Sequence, residues 1–118
     1  MATTYKVLGQ AISITSTGNV LLYSVPTATS TIGSTVTVCN QGTADATYSI
    51  SVRVVSNAGP AAALTGPVAK EYLAYQVSIP AKTTTSYTLG ITLDAFDHVV
   101  VSASTATVSF NLFGTEIS

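Results

Sequence analysis

Apolar and polar residues alternate along this chain with a period of two, and no stretch shows the capped 3.6-residue period of an amphipathic helix. "ATYSISVRVV" (Ala46 to Val55) sets Tyr48, Ile50, Val52 and Val54 on one face, with Thr47, Ser49, Ser51 and Arg53 on the other. "STVTVCN" (Ser34 to Asn40) sets Val36 and Val38 against Thr35, Thr37 and Cys39. "EYLAYQVSIP" (Glu71 to Pro80) groups Leu73, Tyr75, Val77 and Ile79, and "TSYTLGITL" (Thr85 to Leu93) groups Tyr87, Leu89, Ile91 and Leu93. "TYKVLG" (Thr4 to Gly9) alternates Tyr5 and Val7 with Lys6 and Leu8, and "NVLLYSVP" (Asn19 to Pro26) is an apolar run closed by Pro26. The final stretch, His98 to Ser118, reads as a hairpin. It places Val99, Val101, Val108, Phe110 and Leu112 on one sandwich face. The small polar outer side of that hairpin is interrupted by Val100 and Phe113.

Turn-forming clusters separate these runs: "STGN" (16–19), "NQGTAD" (40–45), "PAKT" (80–83) and "DAFD" (94–97). Strands with one polar face and no intervening helices imply antiparallel sheets that bury their apolar faces on each other. The expectation is an all-β protein: one antiparallel β-sandwich domain over residues 1–118, with about eight strands, immunoglobulin-like or jelly-roll-like. The cysteine–tryptophan–cysteine signature of antibody domains is absent. The longest irregular piece is "SNAGPAAALTGP" (56–67), an uncharged segment with an Ala/Leu patch. Long loops in sandwiches often carry function.

Composition narrows the function classes. Charged residues make up 8% of the chain, against about 25% in ordinary domains. Lys6, Arg53, Lys70 and Lys82 are too few and too scattered to neutralise phosphates, so no nucleic-acid partner is expected. High hydrophobicity with low charge also excludes a disordered chain. No apolar run approaches the length of a membrane span, and the N-terminus has no apolar leader, so a soluble protein without membrane contact is expected. One cysteine permits no internal disulfide. A surface of Ser, Thr and Ala suits a protein whose faces are covered by neighbours.

Chemistry-bearing residues are sparse. Asp94, Asp97 and His98 lie close in sequence, but Asp opens tight turns by bonding its own backbone. A Ca²⁺ site would need oxygens from several loops, with Asp45 joining only if its loop lies at the same end. Cys39 sits inside a Val-rich strand and reads as a small packed hydrophobe rather than a nucleophile served by His98. No phosphate loop, nucleophile elbow or metal spacing occurs. The expectation is no enzyme, no catalytic residue, no metal and no cofactor. Six tyrosines raise the possibility of sugar binding. Regular alternation, however, puts Tyr72 and Tyr75 on opposite sides of their strand, with Tyr75 in the core and Tyr72 partly exposed. Interface candidates are Ala61, Ala62, Ala63 and Leu64 in the long loop, Tyr5, Tyr72, Val100 and Phe113.

Across nearly the whole chain, "MATTYKVLGQ", "LLYSVP", "TVTVCNQG", the block "EYLAYQVSIPAKTTTSYTLGITLDAFDHVVVSAS" and "VSFNLFGTEI" resemble a family of small structural proteins of tailed bacteriophages, particularly those of cyanobacteria and other aquatic bacteria. The resemblance implies a non-enzymatic virion component made in the host cytoplasm. The expected role is a homo-oligomeric capsid decoration (cement) protein on the capsid exterior. It would bind the major capsid protein or other virion proteins and stabilise the shell. The alternative is a tail- or neck-associated module that binds host-surface glycans.

Overall fold

The computed structural model describes residues 2–12, 19–54 and 69–118. Eight strands form: β1 (Thr3–Ile12), β2 (Val20–Ser24), β3 (Ser30–Asn40), β4 (Ala46–Arg53), β5 (Tyr72–Ile79), β6 (Thr83–Leu93), β7 (His98–Ala103) and β8 (Val108–Ile117). One 3₁₀ turn, Ala69–Glu71, precedes β5. Two four-stranded sheets result. Sheet A has the order β1-β8-β3-β6 and sheet B the order β2-β7-β4-β5.

That order settles the topology. The antiparallel pairs β1·β8, β2·β7, β3·β6 and β4·β5 are the rungs of one long folded ribbon. Wrapping the ribbon brings β8 beside β3 and β7 beside β4. This is the jelly roll. In an immunoglobulin sandwich the first strand would pair with the second, not with the last.

The last two strands are not a hairpin. β7 lies in sheet B and β8 in sheet A, joined by a connection that crosses between the sheets. Ser104 N donates to Thr47 O (2.8 Å) on the sheet B side, and Gln41 N to Thr107 O (2.9 Å) on the other. Val99 and Val101 therefore meet Val108, Phe110 and Leu112 across the core instead of beside them. These residues, with Val36, Val38, Tyr48, Ile50 and Ile79, form the centre of the hydrophobic cluster. Each large apolar side chain so buried stabilises the fold by about 1.5–3 kcal/mol. Tyr48 packs edge-to-face on Phe110 and on Tyr87, both with centroids 6.3 Å apart, and its hydroxyl hydrogen-bonds that of Tyr87. Burial raises the Tyr48 phenol above its ordinary pKa, with the Tyr87 hydrogen bond adding to the effect.

Alternation holds cleanly in β6, where every second residue from Thr84 to Thr92 is exposed. It fails where bulges intervene. In β1 Leu8 is buried and Tyr5 and Val7 are exposed, as alternation requires, but the register shift between Val7 and Gly9 then turns Gln10 and Ile12, in phase with Leu8, outward. In β5 Ile50 pairs with Ala74 but Ser51 with Tyr72, so Leu73 is an extra residue. A second shift lies between Tyr48↔Val77 and Ile50↔Ala74, next to Gln76 in the left-handed region (φ 49°). Two bulges in one short strand rotate its apolar set. Leu73 and Tyr75, expected in the core, are exposed (48% and 60%), and Ala74 is buried in their place.

Candidate functional site

The three aspartates are taken up by turns. Asp97 Oδ2 accepts from Asp94 N (3.0 Å), Asp94 Oδ1 from Ala95 N (2.8 Å), and Asp94 O from Asp97 N (3.1 Å). The turn docks on Val25, just past the end of β2, through Val25 N to Asp97 O and Phe96 N to Val25 O. Asp45 receives Ala81 N (3.2 Å) in the loops at the opposite end of the sandwich. The Asp45 and Asp94–Asp97 carboxylates therefore cannot share one ion. Among the described residues, no three His, Cys, Asp or Glu side chains gather as a metal site. Cys39 pairs with Ser109 and Thr84 on the outer face of sheet A. His98 pairs with Arg53 and Ser24 in sheet B. The whole core separates thiol from imidazole, which rules out a dyad between them.

The outer face of sheet B departs from the expected open polar surface. Ser51, Arg53, His98 and Val100 all point away from the core cluster, yet are 1%, 3%, 9% and 1% exposed. Val100 is thus no exposed interface residue. Arg53 Nε lies 3.1 Å from Glu71 Oε1, and Glu71 Oε2 accepts from Val54 N (3.2 Å). Sequence reasoning missed this pair, because nothing local announces that the 3₁₀ turn returns to the end of β4. Neither His98 ring nitrogen has a hydrogen-bond partner among the described residues.

Farther along the same face a polar hollow of about 250 Å³ opens. Thr47 and Ser49 of β4, Ser102 of β7, Ser104 beyond it and Gln76 of β5 line it. Ser49 Oγ accepts from Gln76 N (3.0 Å), and Ser104 Oγ from Thr47 N (2.9 Å). Gln76 Nε2 reaches the Tyr75 hydroxyl at 3.4 Å. Tyr72 and Tyr75 do not face opposite sides: the Leu73 bulge brings their rings together at 4.8 Å and 75°.

The outer face of sheet A is open and carries no charge. Its outward positions are Tyr5, Val7, Gln10 and Ile12 of β1, Asn111, Phe113 and Thr115 of β8, Ile32, Thr35 and Thr37 of β3, and the Ser/Thr row of β6. Val7 pairs with Phe113, which pairs with Thr35; Tyr5 pairs with Thr115, which pairs with Ile32. Exposures of 82% for Tyr5, 47% for Val7, 41% for Ile32 and 36% for Phe113 make this a contiguous apolar patch on a hydroxyl-rich sheet. Gln10 Nε2 to Asn111 Oδ1 (2.8 Å) ties the polar part of the face together. Tyr5 and Phe113 were legible as surface apolar residues. Val7 shares the Tyr5 face by alternation, whereas Ile12 and Ile32 were not legible, because the bulge after Val7 and the register of β3 decide their side. Ala61, Ala62, Ala63 and Leu64 lie outside the described residues. Comparison with known proteins gives no matching family model and no curated protein of significantly similar sequence.

Proposed function

We propose that this chain is a non-enzymatic structural component of a phage particle, a capsid decoration protein that docks on the major capsid protein shell through sheet A. The observation that carries the reading is the charge-free outer face of that sheet, with the apolar patch of Tyr5, Val7, Ile32 and Phe113. Exposed contiguous apolar surface marks contact with a partner. A face without charges loses little by desolvation when it is covered. Many weak copies on one shell add by avidity, so a small patch suffices, and copies of this chain can associate as homo-oligomers on the shell. The jelly roll is common in viral coats, but also in lectins, so it supports the reading by analogy alone. Pro26 and Pro80 follow the edge strands β2 and β5, where they discourage uncontrolled strand pairing.

Mass spectrometry and cryo-electron microscopy of purified particles test this. The chain should be present in many copies, with sheet A against the shell. Phe113→Lys, at a site already exposed, should leave the fold intact and lower occupancy. Absence of the chain from particles, or full occupancy with Phe113→Lys and Val7→Lys combined, would overturn the proposal.

A further inference from the structure

The hollow on the outer face of sheet B has a chemistry that the assembly reading does not use. Its lining offers hydroxyl and amide groups from three strands and contains no carboxylate, ammonium, guanidinium or imidazole. Without a cation it offers nothing to phosphate or carboxylate ligands, and without a carboxylate it offers nothing to metal ions or amines. A neutral ligand rich in hydroxyls remains. The Thr47 and Ser102 hydroxyls make no hydrogen bond to protein among the described residues. Their capacity is therefore open to a ligand.

A second, independent feature stands beside the hollow. Tyr75 is 60% exposed although it lies in a strand. Its ring is braced edge-to-face by Tyr72, and its hydroxyl is held by Gln76, which also lines the hollow. The brace exists only because the bulge at Leu73 brings two rings three residues apart to one side, and Gln76 adopts a left-handed backbone (φ 49°) at the adjacent register shift. Bulges that re-aim side chains are over-represented at binding sites. A rigid aromatic face stacks on the C–H face of a sugar ring, while nearby hydroxyls and amides take up its O–H groups. The hollow is smaller than the roughly 300–1,000 Å³ of drug-sized pockets, which fits one pyranose ring.

We infer that the Tyr75–Gln76 bulge and the Ser49–Ser102–Ser104 hollow form a binding site for a neutral saccharide, one ring at a time. This inference does not depend on the assembly reading. Sheet A carries that reading and sheet B this one, and a decoration protein docked through sheet A would present sheet B outward.

The test uses the full chain and ¹⁵N-edited NMR with glucose, galactose, N-acetylglucosamine and maltohexaose as probes, followed by a glycan array with the protein tetramerised on a streptavidin scaffold. The expected result is saturable shifts at the amides of Ser49, Gln76, Ser102 and Ser104 with at least one neutral sugar. Tyr75→Ala, whose side chain is mostly exposed, should keep its melting temperature and bind roughly tenfold more weakly, as loss of an aromatic contact implies. Tyr75→Phe should retain most of the binding. No saturable shift at these amides together with an empty array, binding of charged glycans alone, or binding unaffected by Tyr75→Ala would each overturn the inference. None of these outcomes bears on whether the chain occurs in particles.

Discussion

The Tyr23 hydroxyl donates a 2.5 Å hydrogen bond to Glu116 Oε2, joining β2 of sheet B to β8 of sheet A across one end of the sandwich. The same hydroxyl bonds Thr31 Oγ1 (2.9 Å), and Glu116 Oε1 meets Lys6 Nζ at 3.3 Å. The Tyr23 bond, then Lys6, holds the Glu116 carboxyl below its ordinary pKa. A depressed folded-state pKa means that the unfolded chain binds more protons below neutrality. The bond's contribution is present above the ordinary carboxylate range and is lost as pH falls through the folded value. Tyr23 is pushed up to about 12, by burial first and then by Glu116, so stability also falls as pH rises from about 10 toward 12. Glu116→Gln should flatten the acid limb of the melting temperature between pH 6 and 3. Tyr23→Phe should flatten part of the alkaline limb and cost about 1.5–3 kcal/mol near neutrality, the worth of a hydrogen bond to a charged group. Calorimetric scans across pH check both.

Arg53 and Glu71 form an ion pair in which both side chains are nearly inaccessible (4% and 2% exposed). Removing one member leaves the other charge buried without its ion-pair partner. Glu71→Ala should therefore destabilise by about 3–5 kcal/mol, whereas the double change Arg53→Met with Glu71→Leu should recover most of that loss. Urea unfolding of the two variants beside the unaltered chain separates the outcomes. A single variant close to the wild-type midpoint would contradict this account of the pair.

His98 is 9% exposed, with neither ring nitrogen hydrogen-bonded among the described residues. A buried polar group without a partner is a liability of about 1–3 kcal/mol. Replacing it by an apolar side chain of similar size, His98→Leu, should raise the denaturation midpoint. His98→Ala should lower it by leaving a cavity. A lower midpoint for His98→Leu would show that the imidazole has a structural role.

Gly114 pairs with Gly33 in the centre of sheet A. A Cβ on Gly114 would lie 2.1 Å from Ile32 O, 2.9 Å from Leu8 Cδ1 and 3.0 Å from Gly33 Cα. Two of these neighbours are backbone and cannot rotate away. Gly114→Ala should cost about 3 kcal/mol, at the upper end of overpacking penalties. Gly90→Ala, on edge strand β6 with nothing within 4 Å of the added carbon, serves as the control and should be close to neutral. Thermal melts of the pair give the comparison.

The period-two pattern by itself determined the strand inventory and the centre of the core. Val36 and Val38 in β3, Tyr48 and Ile50 in β4, and Phe110 and Leu112 in β8 all lie inside as alternation requires, because burial of every second residue is the only way a strand satisfies such a pattern. Asp94 and Asp97 act as turn residues, as their spacing implied. What the tertiary structure decided is which strand lies beside which, and where alternation breaks. β7 and β8 are neighbours in sequence but face each other across the core, since closing the ribbon needs β8 between β1 and β3. Ser51, Arg53, His98 and Val100 are buried on a face that local pattern marks as open, because burial depends on what covers a face and not on the strand itself. Tyr72 and Tyr75 meet because one extra residue at Leu73 shifts the register. A bulge reverses sidedness at a stroke, and it arises from pairing with a distant strand, which no local period encodes.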